Sequence, residues 1–68
     1  MIIYFCTPDV EATLDSAHYP VPTKGGIVEW EMNMRGPTPL PNGRYRVEEV
    51  VWHYGLNPRI VVYMTPTA

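Results

Sequence analysis

The residues able to do chemistry are few and scattered. Cys6 is the sole cysteine, and His18 and His53 are the only imidazoles. A thiol nucleophile needs a base within hydrogen-bond reach and a third group to orient that base, and no local signature here marks such a set. Cys6 closes the apolar run Ile2-Ile3-Tyr4-Phe5-Cys6, where a free cysteine ordinarily acts as a small buried hydrophobe. The two histidines and the single cysteine offer no ligand pair at zinc spacing. Asp9, Glu11 and Asp15 follow no calcium-loop pattern, which needs a glycine at its sharp turn and a terminal glutamate. Lys24-Gly25-Gly26 is a turn without a helix behind it, so it cannot cradle a phosphate as a P-loop does. The expectation is a chain with no catalytic set, no metal and no cofactor.

Two groups of side chains could instead bind a macromolecule. Arg44, Arg46 and Arg59 can meet on neighbouring strands, and with Tyr54 or Tyr63 they could pair with phosphates and stack on bases. Overall charge weighs against that reading. Five Lys and Arg against seven Asp and Glu give a net charge of −2, so a strong counterion-releasing face is out of reach. Glu48 and Glu49 also offer the arginines cross-strand ion pairs. Nucleic acid is therefore disfavoured, and it stands as the alternative. Aromatic residues carry the leading reading. Two Trp and five Tyr are more than a tiny core easily holds with every polar tip satisfied. Trp30 and Trp52 are assigned to the core, and Tyr4, Tyr19, Tyr54 and Tyr63 are expected partly exposed, where they would anchor a protein partner. Leu40 joins them, at the centre of a stiff Pro-rich loop over Arg35–Pro41 that lacks PxxP spacing.

These residues must be positioned by one small domain spanning 1–68. A chain of this size buries only about 60% of the surface it exposes when unfolded, so its stability is marginal. With 46% apolar residues it can fold, while eight prolines leave little room for a long helix. The N-terminal apolar run is too short for a signal peptide or a membrane span, and a lone thiol suits a reducing cytosol. The chain is expected to be cytoplasmic and soluble, without a membrane.

Strands account for most of the remainder. Ile2–Cys6 is short, β-branched and aromatic. Ile27–Met32 alternates, with Val28, Trp30 and Met32 on one face and Glu29 and Glu31 on the other. Arg44–Tyr54 and Arg59–Met64 flank Gly55-Leu56-Asn57-Pro58 and read as a hairpin. Thr13–Tyr19 fits a strand somewhat better than a short helix starting near Asp9, and both readings stay open. The long fourth strand contains a phase slip. Tyr45 and Val47 share one parity, while Val50, Trp52 and Tyr54 share the other. One extra residue at Glu48-Glu49 would turn all five inward, which is what a β-bulge does, and it would bend the strand. The expected fold is all-β: a small barrel, or a strongly bent antiparallel sheet of about five strands.

Two segments carry a family resemblance. Tyr19-Pro20-Val21-Pro22-Thr23-Lys24-Gly25-Gly26-Ile27-Val28 contains a Pro-x-x-Gly-x-x-Val entry, and Gly43–Trp52 has the form Gly-x-Tyr-x-Val-x-x-Val-x-Trp. With Ile60-Val61-Val62-Tyr63 they resemble the small SH3-like barrel proteins among bacterial and phage reading frames, over about two-thirds of the chain. The resemblance implies an SH3-like barrel and carries over no catalytic residue. The Pro-rich insertion around Arg35–Pro41 departs from the pattern. Taken together, the expectation is a non-enzymatic protein-binding module, a small accessory or inhibitor protein of phage or mobile-element origin. A homodimer is a related expectation if Arg59–Met64 forms an apolar edge strand.

Overall fold

The computed structural model describes residues 1–31 and 40–67. Five strands follow one another along the chain: β1 (Ile2–Cys6), β2 (Glu11–Asp15), β3 (Ile27–Trp30), β4 (Gly43–His53) and β5 (Arg59–Pro66). They form a single sheet in the order β2-β1-β5-β4-β3. The sheet curls through 242° into a half-barrel. The all-β, barrel-like architecture read from the sequence therefore holds, with one correction to strand direction. β1 runs parallel to β5 while the other neighbours pair antiparallel, so the sheet is mixed. The sequence concealed this because direction depends on where β5 docks, and the extended path from β1 through three further strands brings it back beside β1.

That docking also overturns the expectation that Arg59–Met64 lies at an edge. β5 is the central strand, bonded over Arg59–Tyr63 to β1 on one side and β4 on the other, so that stretch has no free edge to offer a second copy. Its alternate residues Ile60, Val62 and Met64 are buried on the concave face, among Ile3 and Phe5 of β1 and Tyr45 and Val47 of β4. β-branched and aromatic types at every second position pack such a pleated surface well.

The bulge stands where the phase slip places it. The register between β4 and β5 runs Val47 to Met64 and then Glu49 to Tyr63, leaving Glu48 as the extra residue. Its carboxylate accepts a hydrogen bond from Thr65 Oγ1 at 2.9 Å. The slip keeps Tyr45, Val47 and Val50 on the core side, as predicted. Trp52 departs from the prediction, being 48% exposed. β3 flanks β4 only over Gly43–Arg46, so the far half of β4 projects beyond its neighbour and Trp52 lies at an uncovered end. Tyr54 follows it out, at 84% exposure.

A second irregularity sets the start of β3. Gly25 N–H donates to the Val47 carbonyl at 2.8 Å, while Val47 N–H donates to the Gly26 carbonyl at 2.9 Å. Two residues thus oppose one, with Gly25 at φ +84°, the geometry of a bulge whose first residue must be left-handed. Only glycine takes that φ without strain, which explains Gly25, and at Gly26 a Cβ would crowd the Thr23 carbonyl at 3.1 Å. Both bulges meet at Val47–Glu49, and together they turn the sheet onto itself.

The open question over Thr13–Tyr19 resolves at Asp15. β2 runs Glu11–Asp15, and the chain then turns. Asp15 Oδ1 accepts from Ala17 N–H at 2.9 Å, and its carbonyl accepts from His18 and Tyr19 N–H. An aspartate that binds the backbone two residues on ends a strand without starting a helix. β3 ends at Trp30, and Met32, expected on its inner face, lies outside the described residues, as does the Arg35–Pro39 part of the Pro-rich loop.

Candidate functional site

Each strand has one face toward the core and one toward solvent, and this alternation sorts the candidate residues. The thiol comes first. Cys6 points outward from the end of β1, half-buried, with its Sγ 3.6 Å from Glu11 Oε2 across the β1–β2 pair. Partial burial pushes the thiol above its ordinary 9.0, and the neighbouring Glu11 charge and hydrogen bond push it further. A thiol held protonated is a poor nucleophile. Neither histidine reaches it. His53 pairs with Arg59, and Cys6 pairs with Tyr63, about 13 Å further along β5. His18 lies in the turn after β2, at the opposite end of β1. Alkylation of Cys6 by iodoacetamide is expected to follow a pH profile centred above 9.0, since a raised value removes thiolate at any lower pH. Glu11→Gln removes the charge but not the burial, so the rate at pH 8 should rise while the profile stays centred above 9.0, read by mass spectrometry.

Among the described residues, no group of three or more His, Cys, Asp or Glu could hold a metal ion. Asp15 is occupied otherwise. The Ala17 N–H bond holds its carboxyl below the ordinary range, helped by the N-terminal ammonium at 3.6 Å.

The three arginines do not form one cluster. Arg44 and Arg46 share the outer face of β4 at its start, and Arg59 begins β5 at the opposite end of the sheet. Arg46 pairs with Thr65, six residues from Arg59, a separation of about 20 Å. Arg44 finds its partner across the β3–β4 pair, with Nε 3.8 Å from Glu29 Oε1. Glu49 meets Lys24 at 3.8 Å instead of an arginine. These exposed pairs each contribute about 0–1 kcal/mol.

The aromatic set separates into different places. Tyr4 and Tyr63 stand together on the convex face of the sheet, one step apart on the adjacent strands β1 and β5. Tyr63 is 47% exposed and Tyr4 is half-buried. Around them on the same face lie Ile2, Val51 and Val61, since Tyr4, Val61 and Val51 are in register across three strands. Tyr54 stands apart at the β4–β5 turn beside the fully exposed Leu56. Leu40 is a correction. It is 0% exposed and belongs to the core cluster, so it cannot touch a partner. Its neighbour Pro41 accepts a hydrogen bond from the Tyr45 hydroxyl, tying the end of the loop to β4.

Tyr19 marks a feature the sequence did not show. It lines a cleft of about 310 Å³ with Phe5, Leu14, Val21, Val28 and Trp30. The cleft lies where the curled sheet leaves β2 and β3 without partners toward each other. The prolines of Tyr19-Pro20-Val21-Pro22 wall one side of it. Motif reading misses such a place, because its walls come from three strands and a loop far apart in sequence.

No family model, no curated protein and no solved structure matches this chain. No helix among the described residues is long and apolar enough to cross a membrane.

Proposed function

We propose that this chain is a non-enzymatic protein-binding module, a small cytoplasmic accessory or inhibitor protein with an SH3-like barrel. The observation that carries the reading is the apolar convex face over β1, β5 and β4. A sheet with its concave face packed ordinarily turns polar side chains to water on the other. Here the exposed Ile2 and Tyr63 and the half-buried Tyr4 and Val51 surround the buried Val61 on the outer face of the three central strands, with Arg59, His53 and Glu49 at their borders. Apolar side chains left on the outer face of a sheet mark interaction sites, and tyrosine supplies both contact area and a polar tip. The protonated Cys6 thiol and the dispersed histidines favour binding over catalysis. The wide separation of Arg59 from Arg44 and Arg46 favours a protein partner over a nucleic acid. The cytoplasmic assignment rests on the single free thiol, and the phage or mobile-element origin on the SH3-like resemblance of the strand motifs.

The test is affinity capture with the immobilised chain at micromolar concentration, beside a Tyr4→Arg/Tyr63→Arg variant. The expected result is a partner retained by the native chain and weakened at least about tenfold by the double substitution. Capture of no partner, or of the same partner by both baits, would overturn the reading. Sedimentation of the free chain checks whether this face instead closes a homodimer.

A further inference from the structure

The cleft between β2 and β3 has the features of a site for an extended segment, and its backbone and charges specify which. In β3 the bulge fixes the bonding phase. Because Gly26 bonds to Val47, the residues bonded to β4 further along are Val28 and Trp30, and the N–H and C=O groups of Ile27 and Glu29 face away from the sheet. β2 mirrors this arrangement. Ser16 N–H bonds to Met1 and Thr7 N–H to Val10, so Leu14 and Ala12 face β1, and the backbones of Glu11, Thr13 and Asp15 face outward. Among the described residues, no strand occupies either edge.

Side chains follow the same alternation. Val28 and Trp30 point into the cleft with Leu14, Phe5, Tyr19 and Val21. Glu29 lies on the outer face, with exposed Glu31 following it at the end of β3. Across the gap, Glu11 and Asp15 lie on the outer face of β2. Of the seven side-chain carboxylates, these four lie along the two edges, while Asp9 lies in the β1–β2 turn and Glu48 and Glu49 lie on β4. The edges are therefore apolar inside and carry carboxylates outside, with Glu29 shared with Arg44 and Glu31 next to it at the end of β3.

We propose that the open edge of β3 binds an extended peptide of a partner protein by strand addition, with apolar and basic residues alternating. Its backbone pairs with Ile27 and Glu29, its apolar side chains enter the cleft over the half-buried Val28 and the exposed Tyr19, above the enclosed Trp30, and its lysines or arginines lie beside Glu29 and Glu31. Cross-strand neighbours share a face, so the alternation is a direct consequence of the pleat. A second copy does not fit. Pairing edge to edge between copies would set carboxylates against carboxylates, an arrangement that suppresses self-association. The proposal gives the protein-binding reading a second surface, distinct from the convex face.

Calorimetric titration with three capped peptides tests it: leucine and lysine alternating, the same residues in two blocks, and leucine and glutamate alternating. Trp30 emission in a Trp52→Phe background reports whether the cleft is filled. The alternating basic peptide should bind at least about tenfold more tightly than the other two and should change the emission. Ile27→Pro removes an outward N–H without touching a bond to β4, and should weaken binding by about tenfold or more. Glu29→Lys/Glu31→Lys should reverse the preference toward the acidic peptide. The proposal fails if the blocked peptide binds as well as the alternating one, or if none binds up to about 1 mM. It also fails if sedimentation shows a dimer that Ile27→Pro dissolves, which would assign the edge to a second copy. Tyr4→Arg/Tyr63→Arg should leave peptide affinity unchanged. A peptide that fails to bind while that double variant still abolishes partner capture would retire the cleft and keep the convex face.

Discussion

Trp30→Ala is expected to leave the chain largely unfolded at 25 °C. Trp30 is one of the largest fully enclosed side chains, and it meets Phe5 edge-on with ring centroids 5.2 Å apart and planes at 61°. Removing a buried tryptophan costs about 3–5 kcal/mol through lost transfer energy and the cavity left behind. A core of this size rarely supplies more than about 3–5 kcal/mol in total. The two amounts are comparable, so the substitution removes most of the native population. Circular dichroism should lose the sheet signal, and denaturant titration should show no cooperative transition. Trp30→Phe keeps an aromatic edge against Phe5 and should retain a measurable midpoint. A Trp30→Ala variant that melts cooperatively near the native midpoint would show that the core does not depend on β3.

Leu40→Ala should destabilise the fold by about 2–5 kcal/mol while leaving partner affinity per folded molecule unchanged. The sequence places Leu40 among prolines, where an apolar side chain reads as a presented anchor. In the structure it is completely enclosed in the core, and the Tyr45 hydroxyl fixes the adjoining Pro41 carbonyl. With a urea slope of about 1 kcal/mol per molar for so small a domain, the midpoint should fall by about 2 M or more. In the remaining folded fraction, the convex face and the cleft are intact. A loss of partner binding without a loss of stability would restore Leu40 to the recognition surface.

The contrast between these two residues shows how much of the molecule was legible in the chain. Trp30 was readable because Val28 and Trp30 alternate with Glu29, and a period of two states which face is buried without reference to any other strand. The bulge at Glu48 was readable for the same reason, since a change of parity within one strand is a local fact. Trp52 and Leu40 were not. Trp52 has the right parity and the wrong position, because β3 is too short to flank that half of β4. Leu40 lies in no periodic segment, so only the path of the folded chain could bring it inside. The candidate site shows the same limit. Tyr4 and Tyr63 were named from their residue type, but their adjacency depends on a parallel pairing between strands more than fifty residues apart.

The sequence by itself determined four of the five strands, most of their inward faces, the hairpin at Gly55 and the bulge at Glu48. Each of these follows from side-chain periodicity or from backbone preference over a few neighbouring residues. Tertiary structure alone decided the strand order, the central place of β5, the apolar convex face and the acidic-rimmed cleft. Those depend on which edges meet, and the balance is set by summed burial across distant segments. No single stretch of this chain contains that sum.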